Sequence, residues 1–408
     1  MEYEYETNGV FWFPDFPEKI DGYYSISEDG KLNVLLIDDK SVSKKDDYKD
    51  VILGVLKSGE SDKKITLVDN IITTDGIKIV EDRIYIKKKV LPYLSIEGLH
   101  FNSLEEINFN ELSMKYTSLP YWAEGVDRQN VETEIEDAKI SLVFEDENPY
   151  FKVEFNSKKS LKECLEIEEN IRRFLSFVSA CDFRLSKFKG KSSKGEVEII
   201  VPHIMYSGKD RSVFMFTLKD LKNNFSEILN KWFKLRKTKI KTIIDVHIAS
   251  DHFQDVPVQY SFLVHVFALE SYHHESGKFE ETMFEDEEEW KSLKNCILDC
   301  IKNNIKDVNK EVNKEEKVNK EEVKDVLNGK VGYIHKKSLK QKLNDILRFL
   351  GDDFVNDFIG KNENEINDFI KNTGNFRNDM VHWLESPPIE KVSKLIPKLK
   401  AILKACIL

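Results

Sequence analysis

No stretch of this 408-residue sequence approaches 18 consecutive apolar residues, so no membrane-spanning helix is expected. Residues 1–7 are acidic and poor in apolar side chains, which does not read as a secretory signal. Cysteine is scarce. The five, at 164, 181, 296, 300 and 406, are odd in number and form no compact framework. Such usage points to unbridged thiols in a reducing, cytoplasmic setting. Excess positive charge is also missing, because 62 Lys and Arg face 73 Asp and Glu for a net charge of -11. A chain this acidic is not a bulk, non-specific nucleic-acid binder, and any RNA it handles must meet a local basic surface. There is no G-x-x-x-x-G-K-[ST] loop, no G-x-S-x-G elbow and no H-E-x-x-H pair. P-loop nucleotide hydrolysis, elbow-serine chemistry and helix-borne zinc hydrolysis therefore have no support.

What is present is material for real cores: 40% hydrophobic residues, 11% aromatic and 26 Phe. The pattern predicts an α+β chain. Residues 1–155 read as a β-rich domain, a sandwich or barrel with added helices, because short alternating runs recur between turn signals. Runs at 21–26 and 31–37 flank Glu28-Asp29-Gly30, and runs at 139–144 and 150–155 flank Glu147-Asn148-Pro149; both read as hairpins. Residues 156–238 read as a mixed α/β subdomain. An apolar face of helical period runs over 160–180, strand character returns at 196–204 and 212–218, and a helix is expected at 221–235. Residues 240–408 read as an all-α bundle. Pro257 opens one of its helices and Gly277 closes it. A later helix over 363–371 is expected to close at Thr373-Gly374. A loose Val-Asn-Lys-Glu repeat makes 302–325 a solvated low-complexity insert.

Chemistry concentrates in Thr373-Gly374-Asn375-Phe376-Arg377-Asn378-Asp379-Met380-Val381-His382-Trp383. Arg377 and His382 are five positions apart, about 140° around an ideal helix at 100° per residue. They converge on one ligand where the segment is a helix start or is irregular. RNA phosphodiester cleavage uses such a pair. A base takes the 2′-OH proton, an acid protonates the 5′-leaving oxygen, and a cation holds the phosphorane-like transition state. His titrates near neutrality and Arg offers a fixed fork of donors to phosphate, so no metal or other cofactor is required. On its own, an Arg and a His near a helix start are more often surface ion pairs or caps.

Context adds to the bare string. The Arg377-Asn378 dipeptide followed by His382, late in an all-α domain, resembles the R-x4-6-H motif of HEPN ribonucleases. Phe262-Leu263-Val264-His265-Val266-Phe267-Ala268-Leu269-Glu270-Ser271-Tyr272-His273 resembles the first-helix signature of the ApeA-like HEPN group. Gly9-Val10-Phe11-Trp12-Phe13-Pro14-Asp15, with Ile20-Asp21-Gly22, resembles the opening of the ApeA-type N-terminal domain. These three segments stand in family order. The resemblance implies a helical HEPN bundle that pairs as a homodimer, metal-independent endoribonuclease activity leaving a cyclic phosphate, and a place in bacterial anti-phage defence by abortive infection. It assigns phosphate contact to Arg377, proton transfer to His382, orientation of the site to Asn378 and an auxiliary place in the cleft to Glu270. RNA, including tRNA, would be the substrate, and a phage-derived trigger would release the activity. Trp383 departs from the small residue common after the His. The alternative is a non-catalytic HEPN-like module that recognises a nucleotide, RNA or a protein; a purely structural dimerising protein is a third reading.

Two basic segments invite RNA. Lys231, Lys234, Arg236 and Lys237 interleave with Trp232 and Phe233, and Arg184, Lys187, Lys189, Lys191 and Lys194 suggest a basic loop. The competing reading of the first is a helix end with Trp232 and Phe233 in the core. Cys296 and Cys300, at i and i+4, lack the second pair that zinc needs and read as partly buried thiols. His273-His274 reads as a surface helix end, and His247 and His252 show no ligand spacing. The acidic run at 280–289 reads as a solvated face, with RNA mimicry over a basic cleft as its alternative.

Overall fold

The computed structural model describes residues 3–27, 31–38, 48–57, 61–80, 83–126, 130–145, 148–201, 214–252, 257–284, 286–311, 335–382 and 387–408. The turn residues of both expected hairpins lie wholly or partly outside this set, as do most of the Val-Asn-Lys-Glu repeat and Trp383. The chain forms two compact units, Met1–Arg236 and Lys237–Leu408.

Among the described residues the first unit has twelve strands, all paired antiparallel where registers are defined. Strands β1 (Tyr3–Phe13), β2 (Phe16–Ser27), β3 (Leu32–Asp38), β4 (Tyr48–Leu56), β5 (Lys63–Val80) and β6 (Arg83–Glu97) run in the order β3-β2-β1-β4-β5-β6. A further pairing of β3 with β6 closes them into a barrel. Closure satisfies both edges, which an open sheet of this size would leave exposed. The barrel interior is apolar, with Phe11, Tyr24, Leu36, Ile52, Leu67 and Val90 buried. Phe11 explains three glycines around it. A Cβ at Gly54 would stand 2.6 Å from its ring, one at Gly22 3.1 Å and one at Gly9 3.0 Å. The opening motif of the sequence is thus a packing device: the ring fits because three neighbours have no side chain.

The 15-residue β6 outruns the barrel. Its end pairs with β12 (Gly195–Ile200), and the sheet continues through β11 (Leu185–Ser192), β7 (Asn108–Tyr116), β10 (Asn148–Ser160), β9 (Ala138–Glu145) and β8 (Val131–Ile135). One helix, α2 (Leu161–Ser179), opens with a capping box between Ser160 and Glu163 and buries Cys164, Ile171, Phe174, Leu175 and Phe177. Trp232, from the helix α4 (Phe225–Leu235), packs edge-on to Phe174 at 5.6 Å and donates its indole N–H to the Asn170 carbonyl at 3.0 Å. Single turns are α1 (Leu119–Trp122), before α2, and α3 (Leu218–Leu221), between α2 and α4. The strand expected at 212–218 is not formed at its described end. Leu218 instead begins a helix, because Thr217 and Asp220 make a capping box. The basic segment expected as a loop is mostly strand: Lys187, Lys189 and Lys191 lie on β11.

The second unit is helical: α5 (Ile240–His252), α6 (Val258–Glu275), α7 (Glu287–Glu311), α8 (Leu339–Leu350), α9 (Asp352–Phe358), α10 (Glu363–Val381) and α11 (Ile389–Ile407). The N-terminal region is thus a strand-rich barrel with added strands and the C-terminal region a helical domain, as the α+β pattern predicted. Helix α6 is apolar on more than one side, with Phe262, Val266, Ala268, Leu269 and Tyr272 buried, and it packs against α5, α8, α10 and α11. Its Tyr272 hydroxyl donates to the Cys406 carbonyl at the end of α11 at 2.7 Å.

Candidate active site

The expected stop at Thr373-Gly374 is not a stop. Helix α10 runs on to Val381, and both residues are buried within it. The Thr373 hydroxyl donates to the Phe369 carbonyl one turn back, at 2.8 Å, so its polar group is satisfied inside the helix. Gly374 answers to packing. A Cβ there would stand 2.9 Å from Cε and 3.1 Å from Cγ of Lys340 on α8. The lysine stem crosses this gap, and its ammonium donates to Asn375 Oδ1 at 3.2 Å. The missing side chain holds α8 close to α10 at the turn just before Arg377.

Arg377 and Asn378 therefore occupy the last turn of a helix, and His382 is its C-cap, with φ -94° and ψ 3°. The His382 backbone N–H donates to the Asn378 carbonyl at 2.9 Å. Its imidazole is exposed. Among the described residues that ring has no hydrogen-bond partner.

Arg377 leans on α6. One terminal nitrogen lies 3.5 Å from Glu270 Oε2, and the other donates to Asn378 Oδ1 at 3.2 Å. The guanidinium carbon stands 5.7 Å from the centre of the Phe267 ring. Phe267 and Glu270 are three apart on α6 and so share a face. The Arg377 Nε–H is buried with no hydrogen-bond partner among the described residues. A buried donor left unmatched is costly, on the order of 1–3 kcal/mol, and an anionic oxygen would remove that cost. The structure thus brings together Arg377, Asn378 and Glu270, adds Phe267, which sequence reading did not single out, and leaves His382 one residue past the helix end. Phe267 was legible as a large apolar residue one turn before Glu270.

Three other histidines, His247, His265 and His273, are structural ties. His273, expected at the surface, is fully buried. Its ring stacks on Phe279 at 4.7 Å, and Nε2 donates to Asp345 Oδ2 at 3.0 Å. Asp345 also accepts from Lys337 at 2.7 Å. Burial pulls His273 below its ordinary value despite the opposing carboxylate. For Asp345, burial raises and the donors Lys337 and His273 lower, with a net shift downward. His247 and His265 are both buried, with His247 Nδ1 and His265 Nε2 2.9 Å apart. His265 Nδ1 meets the Ser261 carbonyl at 2.6 Å, so that nitrogen carries the proton and the His265 Nε2 accepts from His247. This pair fastens α5 to α6.

Of the first basic segment, Arg236 is committed to the fold. It is buried, its Nε donates to Asn170 Oδ1 at 2.9 Å, and its guanidinium lies 5.8 Å from the Trp232 ring centre. Trp232 and Phe233 are likewise core, while Lys234 and Lys237 are exposed and Lys231 is intermediate. Cys296 and Cys300 are exposed on α7 and not partly buried. Among the described residues no group of three or more His, Cys, Asp or Glu is placed to hold a metal ion. Burial pushes the Cys164 thiol up to about 12, far from a reactive thiolate. In the acidic run, Glu281 contacts His274 Nδ1.

Comparison with known families accords with this layout. The family model for ApeA N-terminal domain 1 matches residues 6–148 and 145–232, and that for Apea-like HEPN matches residues 263–408. The second match contains Phe267, Glu270, Arg377, Asn378 and His382. Searches of curated proteins and of solved structures gave no match. No helix among the described residues is long and apolar enough to cross a membrane. The N-terminal match spans residues 6–232, more than half of the 408, and the chain belongs to the ApeA family, with an ApeA N-terminal domain 1 followed by an Apea-like HEPN domain.

Proposed function

We propose that this protein is a metal-independent HEPN endoribonuclease acting in bacterial anti-phage defence by abortive infection. The observation that carries the reading is the state of Arg377: a guanidinium held over Phe267 and beside Glu270, with a buried Nε–H unmatched among the described residues, five positions before an exposed His382. A phosphate entering here gives the Nε–H its acceptor and competes with Glu270 for the terminal nitrogens.

In the proposed reaction the 2′-oxygen attacks the adjacent phosphorus and the bond to the 5′-oxygen breaks. His382 moves protons: one leaves the 2′-OH, and one reaches the 5′-oxygen. The products are a 2′,3′-cyclic phosphate and a 5′-OH end. Arg377 holds the non-bridging oxygens as charge builds on them. Asn378 keeps the guanidinium plane oriented. A single His382 per chain suits a homodimer, in which two Arg377/His382 sets share a cleft and divide the acid and base roles. Lys234 and Lys237 are further cations open to RNA, and tRNA is a candidate substrate. The soluble, cytoplasmic setting and a phage-derived trigger belong to the same proposal.

A second reading has one observation in its favour. Glu270 already occupies Arg377, as it would in a module that binds RNA, a nucleotide or a protein without cutting it. Incubating wild type and His382→Ala with total RNA and tRNA in EDTA separates the two. Cleavage by wild type alone is expected. Cleavage by both would remove His382 from the mechanism, and binding without cleavage, with or without phage-infected extract, would favour the module.

A further inference from the structure

The net charge of -11 means that RNA must be met by a local cationic surface. The second basic segment, once on a strand, makes one. Along β11, Phe188 and Gly190 face inward, so Lys187, Lys189 and Lys191 share the opposite face. Across to β7, Lys187 stands opposite Lys115, Lys189 opposite Ser113 and Lys191 opposite Glu111. Across to β10, Phe151 pairs with Met114 and Lys152 with Ser113, which sets Tyr150 level with Lys115. The Lys115 ammonium lies 5.5 Å from the Tyr150 ring centre. These side chains line a concavity of about 260 Å³.

Charge divides this face. One part is compensated. Lys152 bridges Glu111 at 3.3 Å and Glu154 at 3.0 Å, Lys189 pairs with Glu196, and Lys191 stands between Glu111 and Glu196 in register. The row Lys187–Lys115–Tyr150 is less so: Glu196 acts on Lys187 from beyond ion-pair distance, and Glu145 also lines the concavity. Among the described residues neither lysine has a carboxylate within ion-pair distance, and the two are directly opposed across the ladder. Like charges so placed destabilise a sheet. Sheets relieve such repulsion with an interleaved acid, as this one does two rows away. Two cations without an ion-pair partner among the described residues, beside an aromatic ring and in a concavity, match the needs of a nucleic-acid strand: cations for phosphates and a ring for a base.

We propose that Lys115, Lys187 and Tyr150 form an RNA-contact row on the N-terminal unit, the lysines neutralising successive phosphates and Tyr150 stacking a base. The proposal rests on the ribonuclease reading for the choice of RNA as the anion, but its test does not depend on cleavage. Full-length His382→Ala is titrated with a fluorescent single-stranded RNA in EDTA between 50 and 200 mM salt, by anisotropy. Adding Lys115→Ala and Lys187→Ala together is expected to weaken binding on the order of 10-fold and to flatten the log–log salt slope by about 1.4, two phosphate contacts at about 0.7 each. Tyr150→Leu is expected to weaken binding on the order of 10-fold with the slope unchanged. The melting temperature should hold or rise in the lysine variant, because a repulsion is removed, whereas a structural role would lower it. Unchanged affinity and slope, no RNA binding by His382→Ala, or a loss confined to Lys234→Ala/Lys237→Ala would each overturn the proposal. Wild-type cleavage alongside normal binding by the row variants would reject the row and leave the ribonuclease reading standing. Binding through the row with no wild-type cleavage would do the reverse.

Discussion

Arg377 is held by weak, replaceable contacts. Its pairing with Glu270 is long, at 3.5 Å, and both side chains are partly exposed, 26% and 20%. Such a pair contributes about 0.2–1 kcal/mol, little enough for a phosphate to displace it. Glu270→Gln should therefore leave the melting temperature nearly unchanged and lower the apparent KM for RNA with kcat within a few-fold; steady-state kinetics on a defined RNA would show it. Arg377→Lys should lower kcat/KM by 100-fold or more, on the order of 3 kcal/mol, because an ammonium keeps the charge and loses the planar fork. His273 gives a pH prediction. Its folded value lies below the ordinary 6.5, so the unfolded chain binds the proton more readily. Asp345 is also depressed, from 3.8. Both signs agree: the stabilisation is present above the unfolded values and is lost as pH falls through the folded ones, His273 first, below about 6.5. The loss of thermal stability between pH 6.5 and 5 should be smaller in His273→Phe, as differential scanning calorimetry would read. Residue types made Arg377 and His382 legible as candidates, and the family resemblance alone added Glu270. Burial did not show, because His273 and His274 are identical neighbours, and only packing against Phe279 and Asp345 sends the first inside.

At the scale of elements, glycine was the hardest residue to read. Gly374 follows a threonine just after the helix expected at 363–371 and so looks like a terminator, yet its role is to admit the Lys340 stem from α8. Gly54 has a similar role in the barrel, with far less room to adjust. A Cβ there would press the Phe11 ring at 2.6 Å and Ile65 Cγ2 at 2.9 Å, both in the core. Gly54→Ala should destabilise the protein by about 1–3 kcal/mol, and Phe11→Leu should recover part of that loss in the double variant. Denaturant melts of the four chains would measure the coupling. The lysine segment 187–191 makes the converse point. Its charge suggests a loop, but Phe188 and Gly190 alternate inward, and the closest approach of Gly190, 2.6 Å from a Cβ position to the Phe109 ring, is only visible once β7 and β11 are paired.

The whole molecule joins a strand-rich unit to a helical one, and the helical unit carries the proposed chemistry. If that chemistry needs two chains, total activity should fall faster than concentration on dilution, so that specific activity drops, and sedimentation should place the half-point of the drop at the dimer dissociation. Strand and helix periodicities, turn residues and the order of three short motifs were all written locally, within windows of a dozen residues, so the sequence alone determined the α+β division, the all-helical C-terminal part and the family. Closure of β1–β6 through the β3–β6 pairing, the run of α10 through Gly374, the burial of His273 and the meeting of Arg377 with Glu270 and Phe267 each join residues far apart in the chain. Those were decided only in the tertiary structure, because a contact between residues 107 positions apart depends on how two helices pack, and no local pattern encodes that distance.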